Sequence, residues 1–192
     1  MVRIRKFKKD DINQVAKIHF NYLKLGRLSS LGESFLKDFY KTLLSQDNII
    51  TYVALQDNMI TGFATLGINF KNLPIVMVKN LWFKTISVVL RNPSLLFKLI
   101  QLPFYPSFKD TSKDYAEILS LVVVPKARGQ GIGRKLVESC DNFAKKMGCK
   151  NFVLSTRASM QDANDFYEKI GFKKIKIVKF LGEDFVFWQR KL

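Results

Sequence analysis

"AEILSLVVVPKARGQGIGRKLV", residues 116–137, joins an apolar run to three glycines at alternate positions and then to the start of a helical pattern. The first part is typical of a strand that is buried on both faces. After the glycines, apolar residues recur at helical spacing as far as Met147, and Gly148 follows where a helix commonly ends. The glycines therefore lie at a strand-to-helix junction, where they weaken both elements unless the backbone needs their freedom.

The junction has the chemistry of a phosphate-binding site. The first turn of a helix presents unpaired N–H groups and about half a positive charge, so it readily binds phosphate. Gly129, Gly131 and Gly133 remove the Cβ atoms that would keep a phosphate away from those amides. Arg128 and Arg134 add positive charge. A tight turn with incidental glycines is the alternative interpretation.

The glycine spacing excludes the two common nucleotide-binding motifs. The dinucleotide fingerprint, Gly-x-Gly-x-x-Gly, has two residues before its last glycine, whereas a single residue separates Gly131 from Gly133. The P-loop pattern, Gly-x-x-x-x-Gly-Lys-Ser/Thr, does not occur in the sequence. We therefore expect a different phosphate-bearing ligand.

The junction resembles motif A of the GNAT superfamily of N-acetyltransferases. That motif, Arg/Gln-x-x-Gly-x-Gly/Ala, is matched by Arg128, Gly131 and Gly133. A second stretch, "RASMQDANDFYEKIGFKK" at residues 157–174, resembles the family's later motif, which ends in Tyr-Glu-Lys-x-Gly-Phe. The two motifs occur in the family's order and at its separation. The resemblance covers residues 115–175, and the N-terminal half is matched only by the order of its elements.

The resemblance implies an α/β (α+β) GNAT fold, in which a mixed, largely antiparallel sheet is flanked by helices and splayed beside its fourth strand. We expect residues 1–192 to form a single N-acetyltransferase domain. The N-terminal half agrees, because it is typical of a strand, two helices and a hairpin that turns at Asp57 and Asn58. Asp10 or Asp11 is expected to cap the first helix.

The last part of the sequence indicates one more helix and a closing hairpin. Ser159 and Asp162 have the spacing of a capping box, and Gly171 lies where a helix ends. Residues 172–180 and 183–191 alternate between polar and apolar side chains, which favours two paired strands.

Residues 70–113 are expected to form a basic amphipathic insertion between the third and fourth strands. The segment is apolar and aromatic, and no acidic residue occurs between Asp57 and Asp110. One or two short helices that form a lid, or that pack with solvated lysines, are the favoured interpretations. Contact with a membrane surface is the less favoured one.

The resemblance also implies acetyl-CoA as cosubstrate, bound mainly by backbone groups. Amides of residues 129–134 would hold its pyrophosphate, and residues 121–123 would pair with its pantetheine arm like an extra strand. Arg128 would shape the loop, and a backbone N–H of the splayed strand would polarise the thioester carbonyl. The implied cofactor-binding residues are Leu121, Val122, Val123, Arg128, Gly129, Gln130, Gly131, Ile132, Gly133 and Arg134.

Two residues match catalytic positions of the family. An amine with a pKa near that of Lys, about 10.4, must lose a proton before it attacks. Glu117 matches a glutamate that several branches use as this base, directly or through water. Tyr167 matches the tyrosine that can protonate the departing CoA thiolate. The alternatives are a solvated strand-edge carboxylate for Glu117 and aromatic packing beside Phe166 for Tyr167.

The expected reaction is acetyl transfer to a primary amine by direct attack in a ternary complex. Transfer of a longer acyl chain, and acyl-CoA binding without catalysis, are the alternatives. The acceptor is a small-molecule or peptide amine of open identity. The family's asparagine seven residues before the tyrosine is Met160 here, and Ser155 replaces a glutamate typical of protein N-terminal acetylases. These two departures weaken the resemblance to those acetylases.

Composition limits the partners and the compartment. The sequence has 32 Lys and Arg against 16 Asp and Glu, a net charge of +16 that attracts polyanions. No recognised nucleic-acid motif accompanies this charge, so no specific nucleic-acid partner is expected. Cys140 and Cys149 indicate reduced thiols in a cytoplasmic protein, with neither a metal site nor an acetyl-cysteine. His19 lies on an apolar helix face and is expected to be a half-buried structural histidine.

Overall fold

The computed structural model describes residues 1–24, 28–70 and 114–192. Apart from Phe70, the expected insertion at residues 70–113 lies outside the described residues. The strands are β1 (Arg3–Lys6), β2 (Ile49–Gln56), β3 (Met59–Ile68), β4 (Tyr115–Val123), β5 (Asn151–Arg157), β6 (Lys173–Phe180) and β7 (Glu183–Lys191). The α-helices are α1 (Ile12–Tyr22), α2 (Glu33–Leu43), α3 (Ile132–Lys146) and α4 (Gln161–Lys169).

The strands of the described ranges form a seven-stranded sheet in the order β1-β2-β3-β4-β5-β7-β6. Every neighbouring pair is antiparallel except β4 and β5, which are parallel. Their pairing covers only Tyr115↔Asn151 to Glu117↔Val153, after which β4 continues to Val123 without β5. The expected mixed, largely antiparallel sheet, splayed beside its fourth strand, is confirmed.

Helices cover both faces of the sheet because each carries one apolar stripe. The stripe of α2 and that of α1 meet the face of β2 and β3 to form one core, which we call the α1–α2 core. It includes Val15, Leu36, Tyr40, Val53 and Phe63. The stripe of α3 packs with α4 on the other face to form the α3–α4 core. It includes Leu66, Leu136, Cys140, Phe152 and Tyr167.

Residues with positive φ end several of these elements. Asp57 and Asn58 connect β2 to β3 with φ of 51° and 62°, which is the conformation of the hairpin turn predicted there. Gly148 and Gly171 follow α3 and α4 with φ of 77° and 92°. Both were predicted as helix ends, and their conformation confirms it.

Of the two capping predictions, the first is confirmed in its position and the second is wrong. α1 does begin after Asp11, but that carboxylate does not cap the helix. It accepts hydrogen bonds from the Lys8 N–H (2.8 Å) and from the Arg5 guanidinium (2.6 and 2.7 Å) instead. α4 begins after Met160, without a side-chain cap, so the capping box predicted from Ser159 does not form. Asp11 thus closes the capping box of the 3₁₀ turn Lys9–Asp11, which leads into α1, while it also pairs with Arg5.

Arg190 of β7 ties the last strand to both helices of the α3–α4 layer. Its guanidinium forms an ion pair with Asp141 of α3 and donates to the Ile170 carbonyl at the end of α4 (Nη1–O, 2.7 Å). The guanidinium carbon also lies 4.6 Å from the centre of the Phe172 ring. Burial raises the pKa of Asp141, and Arg190 acts against that rise. The arginine therefore compensates a carboxylate that has lost most of its water.

We expect Arg190→Ala to lower the free energy of unfolding by about 2–3 kcal/mol, because it leaves the Asp141 carboxylate without its cation. This loss is smaller than the loss expected on breaking a fully buried ion pair, because both side chains keep some contact with water. Urea denaturation measures the loss, with Lys191→Ala, an exposed neighbour, as control. Adding Asp141→Asn to Arg190→Ala should recover part of the stability. No recovery would show that lost packing, rather than the orphaned charge, is responsible.

Candidate functional site

The glycine loop between β4 and α3 presents its backbone to solvent. A single 3₁₀ turn, Pro125–Ala127, leads into it, and Gly129 and Gly131 have φ of 76° and 73°. Gly131 is the N-cap of α3, and no side chain of the described residues caps that helix. The first N–H groups of α3 therefore lack an intrahelical partner and remain available for a ligand.

Gly133 has a different role from the two glycines before it. A Cβ added at Gly129 or Gly131 would meet open space, whereas one at Gly133 would lie 3.1 Å from Cζ of Phe166 on α4. The first two glycines thus provide the left-handed conformation, and the third allows α3 and α4 to approach closely. The loop interpretation from sequence assigned one purpose to all three, and the packing purpose of Gly133 was missed.

The loop is strongly basic. Lys126, Arg128, Arg134 and Lys135 are all exposed around it, and the first turn of α3 has no acidic residue. Arg128 donates from Nε to the Val123 carbonyl (3.2 Å), which ties the loop to the end of β4. The loop-shaping role expected for Arg128 stays a prediction. Amides, helix dipole and cations together fit a polyanionic phosphate group.

β4 carries a bulge at the point where it leaves β5. Thr65 of β3 pairs with Ser120 and the next residue, Leu66, pairs with Ile118, so Leu119 is an extra residue in β4. Beyond the bulge, residues 121–123 pair with β3 on one side only. No described strand pairs with their other edge. That edge faces the gap between β4 and β5, and an extended ligand with amide groups fits it.

Glu117 lies in the middle of the sheet and is 6% exposed. It pairs with Gly67 on one side and with Val153 on the other, at the last residue pair before the gap. The alternative of a solvated strand-edge carboxylate is therefore wrong. Its neighbours Ala116 and Ile118 belong to the α3–α4 core, so the Glu117 side chain lies on the α1–α2 face.

Tyr167 lies on the opposite side of the sheet, in the α3–α4 core. Its ring packs edge-on against Phe166 and Phe172, with centroids 5.1 and 5.7 Å away. Burial raises the pKa of Tyr167, and the Cys140 thiol adds to the rise. The phenol is therefore protonated at neutral pH. The packing expected as an alternative is present, and it leaves a catalytic role untested.

Asn164, which sequence reasoning set aside, holds α4 against the end of β5. It accepts from the Thr156 hydroxyl (2.5 Å) and donates to the carbonyls of Arg157 and Ala158 (3.2 and 3.1 Å). The Trp188 indole donates to the same Thr156 hydroxyl (2.8 Å). Because Asn164 and Tyr167 are three residues apart on one helix, this network also positions Tyr167. Met160 occupies the position of the family's asparagine, so the motif does not predict this role of Asn164.

His19 is buried, with 4% of its surface exposed, and is not half-buried as predicted. Its Nδ1 lies 2.8 Å from the Tyr40 hydroxyl, and its ring stacks on Phe63 at 6.2 Å between centroids. Burial lowers the pKa of His19 to about 4. The side chain is therefore neutral at physiological pH and belongs to the core.

Both cysteines are buried, and burial raises the pKa of each thiol. Neither forms a disulfide. Within residues 1–24, 28–70 and 114–192, no group of His, Cys, Asp and Glu has the arrangement of a metal site. In the same ranges, no helix is long and apolar enough to cross a membrane.

A family model described as the acetyltransferase (GNAT) family matches residues 20–172. The chain belongs to this family. An N-alpha-acetyltransferase from Saccharolobus solfataricus is 26% identical over 177 residues, which cover 92% of this chain and 83% of that protein. The uncharacterized N-acetyltransferase MJ1207 from Methanocaldococcus jannaschii is 23% identical over 177 residues, which cover 92% of this chain and 62% of that protein. The family resemblance predicted from the two motifs is confirmed.

Solved acetyltransferase structures share this fold. The ribosomal-protein-alanine N-acetyltransferase from Brucella melitensis superposes with a TM-score of 0.68 at 17% identity, and 99% of each chain is covered. A Bacillus anthracis structure in complex with acetyl coenzyme A gives a TM-score of 0.55 at 22% identity, over 80% of this GNAT chain and 68% of that one. At these identities, the comparison shows the fold alone.

Substitutions at Gly131 should separate backbone strain from packing. We expect Gly131→Ala to lower the free energy of unfolding by about 1–2 kcal/mol, because a Cβ disfavours its left-handed φ. Gly131→Asn should cost less, since asparagine tolerates this conformation. Gly133→Ala gains helix propensity but brings a Cβ to 3.1 Å from Phe166, so it should stabilise less than an ordinary Gly→Ala change within a helix. Urea denaturation compares the three variants, and equal losses for Ala and Asn at position 131 would contradict the strain explanation.

The free energy of unfolding of this chain should fall as the pH is lowered, partly because His19 takes up a proton more readily in the unfolded chain. Its pKa is 6.5 in the unfolded reference and about 4 in the folded chain, so the unfolded state binds more protons between these values. This contribution is complete above pH 6.5, and up to about 3 kcal/mol of it is lost as the pH falls toward 4. His19→Gln should therefore show a shallower pH dependence of unfolding free energy between pH 7 and 4. Equal slopes would show that His19 is accessible to protons in the folded state.

Proposed function

We propose that this GNAT chain transfers the acetyl group of acetyl-CoA to a primary amine. The observation that supports it is the gap between β4 and β5 beyond Glu117↔Val153. The basic loop of residues 128–134 lies at the end of β4 that borders this gap. Glu117 lies on one face of the sheet beside the gap, and Tyr167 belongs to the layer on the other face.

The proposed cosubstrate supplies an activated acetyl thioester. The N–H groups of Ile132, Gly133 and Arg134 bind its pyrophosphate, and Gly129 and Gln130 add backbone groups of the exposed loop. Arg128 keeps this loop attached to β4 through the Val123 carbonyl. The free edge of residues 121–123 binds the amide-containing arm as a strand would.

Glu117 acts as the base for the acceptor amine in this proposal. An alkylammonium group must lose a proton before its nitrogen can attack, and the carboxylate takes that proton directly or through a water. Glu117 is the last residue of β4 that pairs with β5, so it lies where the gap begins, and its side chain is on the α1–α2 face. The acceptor therefore approaches from that face.

Tyr167 assists the departing thiolate from the other face. Its pKa is raised by burial, so it keeps its proton at neutral pH and can donate a hydrogen bond to sulfur. A phenol with a raised pKa is a weak acid toward a thiolate, whose conjugate acid has a pKa of about 8.5. Its placement by Asn164 and Phe166 therefore matters more than its acidity.

Transfer is direct in this proposal, without an acetyl-cysteine. Cys140 is 0% exposed and Cys149 is 6% exposed. Burial raises the pKa of both thiols, so little thiolate exists to act as a nucleophile. A primary amine of a small molecule or a peptide is the acceptor class.

The test is an assay of CoA thiol release with acetyl-CoA and a panel of small amines, polyamines and peptides. We expect Glu117→Gln to lower kcat about 10²–10⁴-fold, because the general base is lost. Glu138→Gln, the same change at an exposed position on α3, is the control and should leave kcat unchanged. If calorimetry shows that acetyl-CoA binds but no amine in the panel leads to release of the CoA thiol, the result would support a non-catalytic acyl-CoA-binding module.

Tyr167→Phe in the same assay tests the second role, because it removes only the phenol oxygen and keeps the ring contacts. We expect a lower kcat with little change in acetyl-CoA binding. Comparison of acetyl-, succinyl- and long-chain acyl-CoA then identifies the acyl group. A higher rate with a long-chain donor would show that the enzyme transfers the long acyl group instead of acetyl.

A further inference from the structure

The hydroxyl of Thr156, near the end of β5, joins side chains from two other elements. The Trp188 indole of β7 donates to it (2.8 Å), and it donates to the Asn164 amide oxygen of α4 (2.5 Å). The Asn164 amide nitrogen in turn donates to the carbonyls of Arg157 and Ala158 (3.2 and 3.1 Å), which directly follow Thr156. The three elements β5, β7 and α4 therefore meet at one hydroxyl group.

The chemistry of these groups allows only one direction for each hydrogen bond. An indole N–H is a donor only, so the Thr156 oxygen accepts from Trp188. Backbone carbonyls are acceptors only, so the Asn164 nitrogen faces them and its oxygen receives the hydroxyl proton. Asn164 is 9% exposed, and both its nitrogen and its oxygen have partners. A satisfied buried network of this kind selects a single arrangement of the elements that it joins.

The network lies on the β5 wall of the gap. The Asn151 N–H at the start of β5 donates to the Asp114 carbonyl on the β4 side (2.9 Å). Backbone groups of a strand alternate between its two edges, so the Arg157 carbonyl, an even number of residues later, points to the same edge. β4 no longer pairs with β5 there, and Asn164 supplies the hydrogen bond instead.

The helix α4 reaches from this wall to the opposite one. Asn164 contacts the end of β5. Phe166 lies against the start of α3, because a Cβ at Gly133 would be 3.1 Å from its Cζ, and the same Cβ would be 3.8 Å from Cγ2 of Val123, the last residue of β4. α4 is nine residues long and begins without a side-chain cap, so these contacts rather than helix propensity hold it in place. Tyr167 lies one turn after Asn164 and next to Phe166, so its position depends on both contacts.

We propose that Thr156 is a positioning residue, whose hydroxyl fixes α4 to the β5 wall and thereby sets the distance between Tyr167 and the gap. The inference rests on the proposed function, in which Tyr167 donates to the departing thiolate. With the hydroxyl, α4 is held at both walls of the gap, and without it the contact of Phe166 remains. An error of about 1 Å at a reacting group can lower a rate about 100-fold.

The hydroxyl is not needed for the strand itself. Valine has the branched shape of threonine and is equally suited to a strand. It would leave the Trp188 N–H and the Asn164 oxygen without their partner, and buried polar groups without partners cost free energy. We therefore expect a valine at this position to displace α4 while the sheet keeps its register.

The kinetic test compares Thr156→Val with Thr42→Val, the same change on α2 in the opposite layer. We expect Thr156→Val to lower kcat at least about tenfold, while the KM for acetyl-CoA changes less than about twofold. Thr156→Ser keeps the hydroxyl and should retain kcat within about threefold of the wild-type value, and Thr42→Val should leave it unchanged. Full kcat in Thr156→Val, or an equal loss in Thr156→Ser, would overturn the proposal.

A double variant shows whether Thr156 acts through Tyr167. In a Tyr167→Phe chain the phenol is already absent, so the addition of Thr156→Val should lower kcat by less than about a further twofold. A further loss of about tenfold would overturn the proposal, because the hydroxyl would then act through another group.

Hydrogen exchange of backbone amides gives a test that does not depend on turnover. In Thr156→Val, amides of residues 165–169 should exchange at least about tenfold faster, while those of α2 keep their rates. Unchanged exchange in α4 would overturn the proposal, even if kcat falls. Full kcat in Tyr167→Phe would reject the thiolate role of Tyr167, and a wild-type chain without activity toward any amine would reject the proposed function. In both cases the exchange rates would still decide whether Thr156 fixes α4.

Discussion

The parting of β4 and β5 after Glu117↔Val153 is the constraint on which the rest of the structure depends. β5 stays paired with β7 along its whole length, and β4 stays paired with β3. The sheet is thus two half-sheets, joined by a short parallel ladder and by the α3–α4 core. Between the half-sheets, the backbone groups on one edge of β4 have no strand to pair with among the described residues. A buried or semi-buried backbone needs partners, so this gap favours an extended polar ligand.

The glycine loop and the gap act together because the chain runs directly from one to the other. β4 ends at Val123, the loop turns back through Gly129 and Gly131, and α3 begins with its free N–H groups at the open end of the gap. Arg128 fixes this turn by its bond to the Val123 carbonyl. A ligand with a phosphate at one end and amides along its length can therefore contact continuous backbone, with few side chains involved. This explains why the loop has charge and glycine but no acidic residue.

The sequence predicted the elements well because each has its own local signal. Turn residues at Asp57 and Gly148, and helical stripes such as that of α3, need no knowledge of the rest of the chain. The predictions that failed concern residues whose contact partners are distant in sequence. His19 is more buried than its helix face suggested because Tyr40, 21 residues away, covers it. Gly133 has a packing purpose that becomes visible only once α3 and α4 are placed side by side.

The candidate site shows the same division between local and distant signals. Glu117 and Tyr167 were found through short motifs, but their placement on opposite faces depends on the pleat of β4 and on the layer to which α4 belongs. Asn164 was set aside because it does not occupy the family's position. Its role comes from Thr156 and the carbonyls that follow it, which lie at the far end of another strand. No spacing along the chain carries that information.

The two faces of the sheet also differ in chemistry, and the difference matches the roles proposed for them. Among the described residues, the buried polar groups lie on or beside the α1–α2 layer, with Asn164 as the exception. The α3–α4 core is apolar apart from its thiol, phenol and indole groups, which keeps Tyr167 protonated. A base that must hold charge benefits from polar surroundings, and an acid that must keep its proton benefits from apolar ones. The sheet separates these two environments, and the gap between β4 and β5 lies between them.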